Sequence, residues 1–213
     1  MFYAVAWAVC SVAMRIFFGF RIHGRSNVPR GGGVILAVNH QSYLDPVVVG
    51  CGLTRPVHFM GKTGLFEGLL GVFVRRLNSF PVERGSADRK AVKEFVRRVR
   101  AGHPVMVFPE GTRSRDGRLG RIMPGVGGIA VRAGAPVVPT YIAGSFDAWS
   151  RHRKQPRRAR VSITFGRPIQ VERKAGETKR AQQQRVRTEI SSRLEALEAR
   201  ALAARRVPLG GRS

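Results

Sequence analysis

The chain is poor in acidic residues. Its 213 residues include 13 Asp and Glu against 38 Lys and Arg, which gives a formal net charge of +25. This imbalance predicts an anionic partner, either a phospholipid surface or a nucleic acid. However, 32 of the basic residues are Arg, a bias that compositional drift also produces. Zinc-finger and aromatic RNA-binding signatures are missing, so we expect no nucleic-acid partner.

The chain is also poor in cysteine. Cys10 and Cys51 have no spacing that suggests a disulfide framework or a zinc site. The five His residues do not pair with Cys or with each other at metal-ligand spacings. We therefore expect no metal, and a reduced protein that faces the cytoplasm.

Long apolar runs are restricted to the first 20 residues, which carry one charge, Arg15. A membrane span needs about 20 apolar residues, so this segment could cross a bilayer, enter partway or lie in the interface. A secretory signal is the alternative, but no basic region precedes the apolar run. We expect residues 1–20 to form a membrane-associated helix, residues 21–170 the main domain, and residues 171–213 a basic helix and tail.

Strand-like and helix-like segments alternate through the main domain. The pattern predicts a single α/β domain with a mostly parallel or mixed central sheet flanked by helices. We expect strands at Val34–Val38, Val57–Met60, Phe80–Val82, Val105–Phe108, Val137–Ile142 and Val161–Phe165. We expect helices that are capped by Asp45 and by Ser86, and others over Gly125–Ala133 and Glu177–Arg206. The last helix should carry one narrow apolar stripe, formed by Val186, Ile190, Leu194, Leu197 and Ala201.

His40 follows the first of these strands, and Asp45 follows it by five residues. An imidazole suits proton abstraction near neutral pH when a carboxylate holds its other nitrogen. Alone, the pair is also compatible with a loop His and an Asp that caps a helix. Ser42 lies between them, but it lacks the glycines of a nucleophile elbow, which favours activation of a substrate hydroxyl over a covalent relay.

A second group of polar residues follows the strand at Val105–Phe108. Glu110, Gly111, Thr112 and Arg113 offer backbone N–H groups, a hydroxyl and a guanidinium that suit a phosphate. Alone, they are equally an ordinary glycine turn.

Four sequence blocks, taken in order, resemble the 1-acylglycerol-3-phosphate acyltransferase family, the lysophosphatidic acid acyltransferases. The resemblance extends from about Arg21 to Pro168. The blocks lie at 39–45, 80–84, 108–114 and 137–139.

The resemblance implies that His40 is the general base and that Asp45 orients it. It also implies that Lys62, Arg84 and Arg113 hold the acceptor phosphate, in a pocket that is shaped by Glu110, Gly111 and Thr112.

The resemblance further implies the substrates and the location. The donor would be an acyl thioester on coenzyme A or acyl carrier protein, and the acceptor a lysophospholipid, most simply 1-acylglycerol 3-phosphate. We expect no resident cofactor, and we expect activity on an anionic phospholipid membrane at the cytoplasmic face of the cell membrane. The alternatives are another acceptor, such as glycerol 3-phosphate, a glycolipid or an aminolipid, or a noncatalytic basic module that binds membranes.

Overall fold

The computed structural model describes residues 2–82 and 88–206. Its helices are α1 Phe2–Phe18, α2 Asp45–Gly52, α3 Gly68–Arg76, α4 Arg89–Arg100, α5 Gly125–Ala133, α6 Ser145–Trp149 and α7 Lys179–Arg206. Its strands are β1 Arg21–His23, β2 Val34–Val38, β3 His58–Lys62, β4 Ser79–Val82, β5 Pro104–Val107, β6 Val137–Ala143 and β7 Ser162–Phe165. Single 3₁₀ turns lie at Arg25–Asn27 and Thr63–Phe66.

The strands form one seven-stranded sheet in the order β1-β7-β6-β2-β5-β3-β4. All neighbours are parallel except β6 and β7, which are antiparallel. The prediction of an α/β fold with a mixed sheet is therefore confirmed. Because β2 to β6 share one direction, their carboxyl ends meet at a single edge, where open α/β sheets usually bind ligands.

The central strand β2 is buried on both faces, as is usual for a parallel strand with helices on each side. Ile35 and Ala37 point into the core formed with α4, α5 and α7. Val34, Leu36 and Val38 point into the opposite core, which also contains residues of α1 and α2. This alternation orients the end of β2, and hence His40, within a rigid frame.

The terminal helix α7 contributes to the first of these cores. Val186, Ile190 and Leu194 are fully buried, and Leu197 is 9% exposed. These residues recur every three to four positions, so the predicted apolar stripe is confirmed at four of its five positions, and the fifth, Ala201, is partly buried.

One predicted helix cap needs correction here, and one short helix was not predicted. α4 is capped by Asp88, whose carboxylate accepts from the N–H of Ala91 at 2.9 Å. The predicted cap, Ser86, lies outside the described residues and does not directly precede the helix. The short helix α6 was not predicted, because five residues are too few to show a helical period.

The amino-terminal helix α1 packs beside α2. Trp7 donates its indole N–H to the carbonyl of Leu53 at 2.9 Å, and the N–H of Val57 donates to the hydroxyl of Tyr3 at 3.1 Å. Among the described residues, no helix is both long enough and apolar enough to span a membrane.

Candidate active site

His40 and Asp45 form a buried pair at the carboxyl edge of the sheet. Nδ1 of His40 lies 2.9 Å from Oδ2 of Asp45, and the two residues are 7% and 0% exposed. The same Oδ2 accepts from the backbone N–H groups of Gln41 and Ser42, each at 2.7 Å. One carboxylate oxygen therefore fixes both the imidazole and the loop that carries it.

This arrangement corrects the prediction that Asp45 caps α2. Asp45 is itself the first residue of the helix, Pro46 follows it, and the preceding residue, Leu44, makes no side-chain cap. The carboxylate points back to the 40–42 turn because three donors converge there. Its other oxygen, Oδ1, is buried and has no hydrogen bond to the described residues.

The imidazole of His40 is also held by an aromatic contact. Its ring stacks on Phe108 with the centroids 3.7 Å apart and the planes within 12°. A carboxylate can only accept, so the proton of a neutral imidazole lies on Nδ1 and the lone pair on Nε2. Nε2 makes no hydrogen bond to the part of the chain that the structure describes, so it is free to accept a proton.

Glu110 bonds to the backbone next to the pair, and each of its two carboxylate oxygens accepts a hydrogen bond from a backbone N–H. Oε1 accepts from the N–H of His40 and Oε2 from the N–H of Gly120, both at 2.7 Å. Burial is the main cause that raises the pKa of Glu110 to about 7, while these two N–H groups lower it. Glu110 therefore shapes the site by holding two loops together.

The loop after Glu110 packs against His40. The N–H of Ser114 donates to the carbonyl of His40 at 2.7 Å, so both backbone groups of His40 are bound to this loop. Gly111 adopts a φ of 73°, which glycine tolerates best, and it is exposed together with Thr112. The guanidinium of Arg113 lies 3.6 Å from the ring centre of Tyr43. The turn thus places an exposed hydroxyl and a cation next to the loop that carries His40.

The structure places Lys62 at the same edge of the sheet, at the end of β3, where it is exposed and pairs in register with Val82. Arg84, the other predicted phosphate ligand, lies outside the described residues. Among the described residues, no group of three or more His, Cys, Asp or Glu is arranged to hold a metal ion.

Two buried amides support the site, and our sequence reasoning assigned them no role. Asn39 bonds the backbone of Ile142 in both directions, at 3.0 and 2.6 Å, and so ties the end of β2 to β6. Gln41 donates to the carbonyl of Gly117 at 2.6 Å and to the hydroxyl of Tyr141 at 3.3 Å. A signal was available for both, since they directly follow a buried strand, where polar side chains become buried and need hydrogen-bond partners.

An apolar cavity of about 120 Å³ lies against α2, the helix that begins at Asp45. Pro46 and Val47, which follow Asp45 directly, line it with residues of α1, α2 and β3. The stretch Leu65–Leu77 is largely apolar, which suits either the lining of such a cavity or the core. Of its described side chains, Leu77 lines this cavity, whereas Leu65 and Val72 are exposed.

Comparison with known proteins identifies the family. The family model described as Acyltransferase matches residues 19–143. The chain is 28% identical over 167 residues to the 1-acyl-sn-glycerol-3-phosphate acyltransferase of Bacillus subtilis (strain 168), a match that covers 75% of this chain and 80% of that protein. It is 34% identical over 148 residues to the chloroplastic 1-acyl-sn-glycerol-3-phosphate acyltransferase BAT2 of Brassica napus, where it covers 68% of this chain and 42% of the relative.

A solved structure shares the fold. The 1-acyl-sn-glycerophosphate (LPA) acyltransferase PlsC of Thermotoga maritima superposes with a TM-score of 0.74 and 24% identity, over 92% of this chain and 81% of that one. The family match covers more than half of the residues and contains both members of the buried pair. The chain therefore belongs to the acyltransferase family.

Proposed function

We propose that this protein is a 1-acylglycerol-3-phosphate acyltransferase, which transfers a fatty acyl chain from a thioester to a lysophospholipid hydroxyl and yields phosphatidic acid. The observation that carries the proposal is the buried His40–Asp45 pair, in which the carboxylate holds Nδ1 and leaves Nε2 available. The relatives from Bacillus subtilis and Brassica napus are named for this reaction, which supports the choice of acceptor.

In the proposed mechanism, Nε2 of His40 takes the proton of the acceptor hydroxyl while the hydroxyl oxygen attacks the thioester carbonyl carbon. Asp45 offsets the positive charge that develops on the ring. The tetrahedral intermediate collapses with cleavage of the C–S bond, and the imidazolium returns the proton to the departing thiolate. A positioned base of this kind typically increases the reaction rate by about 10² to 10⁴-fold.

A covalent acyl-enzyme is not part of this mechanism. Ser42, the hydroxyl nearest to the pair in sequence, is fully buried. Its Oγ donates to the carbonyl of Trp149 at 2.7 Å and accepts from the N–H of Leu44 at 3.1 Å. These bonds make Ser42 a structural residue of the loop, which supports direct transfer between the two substrates.

We assign the acceptor phosphate to the exposed mouth of the site. Arg113 can bind two phosphate oxygens at once, and its stacking on Tyr43 keeps the guanidinium plane oriented. Thr112 and the backbone of Gly111 lie beside it, and Lys62 lies at the same edge of the sheet. Arg84 completes the proposed set on the basis of the sequence resemblance.

The apolar cavity supports an acyl substrate. Pro46 and Val47, which directly follow Asp45 in the chain, line it, and we propose that a bound acyl chain extends from the His40–Asp45 pair into this cavity. We propose a fatty acyl thioester of coenzyme A or acyl carrier protein as the donor.

We propose that the protein works at the cytoplasmic face of the cell membrane, with α1 lying in the interface. Val5, Val9, Val12 and Ile16 recur along one side of α1 and are 57%, 63%, 53% and 67% exposed. An exposed apolar stripe of this kind is typical of an interfacial helix. The net charge of +25 adds attraction to anionic lipid, about 1 kcal/mol for each basic residue near the surface.

The test is a panel of acceptors with one acyl-CoA donor, assayed on anionic vesicles. We expect 1-acylglycerol 3-phosphate to be acylated faster than glycerol 3-phosphate, a glycolipid or an aminolipid. Faster acylation of another acceptor would overturn the assignment of the headgroup. Vesicle binding without transfer to any acceptor, from coenzyme A or from acyl carrier protein, would favour a noncatalytic basic module.

A further inference from the structure

The carboxyl-terminal helix α7 reaches the catalytic loop, although it lies outside the region that matches the family model. Its contact is Glu198, which is half-buried. Oε1 of Glu198 accepts from the N–H of Leu119 at 2.9 Å and from the hydroxyl of Tyr141 at 3.3 Å. Neither contact is part of the apolar stripe that anchors the helix.

Through Tyr141, Glu198 is connected by hydrogen bonds to Gln41, the residue after the catalytic histidine. The hydroxyl of Tyr141 donates to Glu198 and accepts from Nε2 of Gln41 at 3.3 Å. The backbone N–H of Gln41 in turn donates to Oδ2 of Asp45 at 2.7 Å. Gln41 and Tyr141 are 3% and 4% exposed, so water does not easily replace these bonds.

Through Leu119, Glu198 is connected to His40 by way of Gly120 and Glu110. Gly120, the next residue, donates its N–H to Glu110, and the other oxygen of Glu110 accepts from the N–H of His40. Two carboxylates, Glu198 and Glu110, therefore hold neighbouring amides of one loop. Burial, followed by the charge of Glu198, raises the pKa of Tyr141, which keeps its hydroxyl protonated as a donor.

We propose that Glu198 is a positioning residue for the catalytic loop, so that α7 is part of the active-site architecture. The inference rests on the proposed function for its kinetic consequence. Among the described residues, Glu198 makes hydrogen bonds to Leu119 and Tyr141 and none to the catalytic pair, Lys62 or Arg113. It acts by fixing Gln41 from one side and the 117–120 loop from the other, which restricts where Nε2 of His40 points.

The chain offers a matched control for the test. Glu195 lies on the same helix, is exposed, and accepts a hydrogen bond from Ser191 in the preceding turn. We expect Glu198→Ala to lower kcat by about tenfold or more, since it removes two bonds to a charged acceptor and loosens a preorganised site. Acceptor KM should change less than twofold, and Glu195→Ala should match the wild type in both parameters.

A conservative variant and a double variant distinguish positioning from general structure. Glu198→Gln keeps an oxygen that can accept both bonds, so it should recover most of the lost kcat. Tyr141→Phe combined with Glu198→Ala should be no slower than the slower single variant, because both act through one chain of bonds. Equal kcat in Glu198→Ala and Glu195→Ala, or multiplicative losses in the double variant, would overturn the proposal.

Amide hydrogen exchange provides a readout that does not depend on activity. In Glu198→Ala the amides of Leu119 and Gly120 should exchange faster than in Glu195→Ala, while the amides of the apolar stripe stay protected. Unchanged exchange at Leu119 would refute the positioning role. If the wild type transfers no acyl group, the proposed function fails, and the exchange result still decides whether Glu198 holds the loop.

Discussion

Replacing Glu110 with Gln should change how the stability of the protein depends on pH. Glu110 is 7% exposed, and burial is the main cause that raises its pKa from 4.5 to about 7. In the unfolded chain the carboxyl returns to its ordinary pKa. The folded protein therefore holds this proton more tightly than the unfolded chain does.

The sign and the size of the effect follow from linkage. A carboxyl whose pKa is raised on folding stabilises the fold fully below pH 4.5, and this contribution is lost as the pH rises through 7. A pKa change from 4.5 to about 7 corresponds to about 3 kcal/mol. A glutamine does not titrate, so the wild type should lose about 3 kcal/mol relative to Glu110→Gln between pH 4.5 and pH 8.

Urea unfolding of both proteins across this pH range measures the difference directly. The comparison cancels titrating groups that both proteins share, such as His58, whose pKa is lowered to about 4, chiefly by burial. The free energy of unfolding of the wild type minus that of Glu110→Gln should decrease steadily with rising pH and level off near pH 8. If this value stays constant or rises with pH, Glu110 does not behave as a buried carboxyl with a raised pKa.

Three further substitutions test other parts of the structure. Asp45→Asn should lower kcat by about tenfold or more in a steady-state assay, because a neutral acceptor holds the imidazole about half as strongly; unchanged kcat would contradict this. Arg113→Ala should raise KM for a phosphorylated acceptor, while Arg115→Ala, in the same loop, should not. Equal KM values in the two variants would show that Arg113 does not bind the phosphate. Gly33→Ala should cost about 1–3 kcal/mol in urea unfolding, because a Cβ there would overlap a backbone carbonyl of α4. Gly31→Ala, where the space is open, is its control, and equal stability would contradict the expected overlap.

Much of the fold could be predicted because the local patterns agree with the tertiary structure. β2 and α5 have the predicted bounds, and the apolar stripe of α7 is buried as predicted. β4, β5, β6 and β7 lie within one residue of their predicted bounds, and β3 lies within two. The antiparallel pairing of β7 with β6 could not be read from the sequence, because strand direction depends on the path of the connecting basic loop.

The candidate site could be predicted as a set of residues but not as a network. Their positions directly after two predicted strands indicated that the His40–Asp45 pair and the Glu110 turn lie at strand ends. It could not show that Asp45 bonds backward to its own loop instead of capping α2, because both roles use the same residue at a helix start. It also could not show that Glu198, 88 positions after Glu110, reaches the same loop, since such contacts depend on how α7 packs.

The most direct test of the central claim is the rate of acyl transfer by His40→Ala. With saturating 1-acylglycerol 3-phosphate and acyl-CoA on anionic vesicles, we expect a rate at least about 10²-fold below the wild type, with the thermal unfolding midpoint preserved. His23→Ala, an exposed histidine on the edge strand β1, should keep the full rate. Normal turnover by a folded His40→Ala protein would contradict the assignment of His40 as the general base.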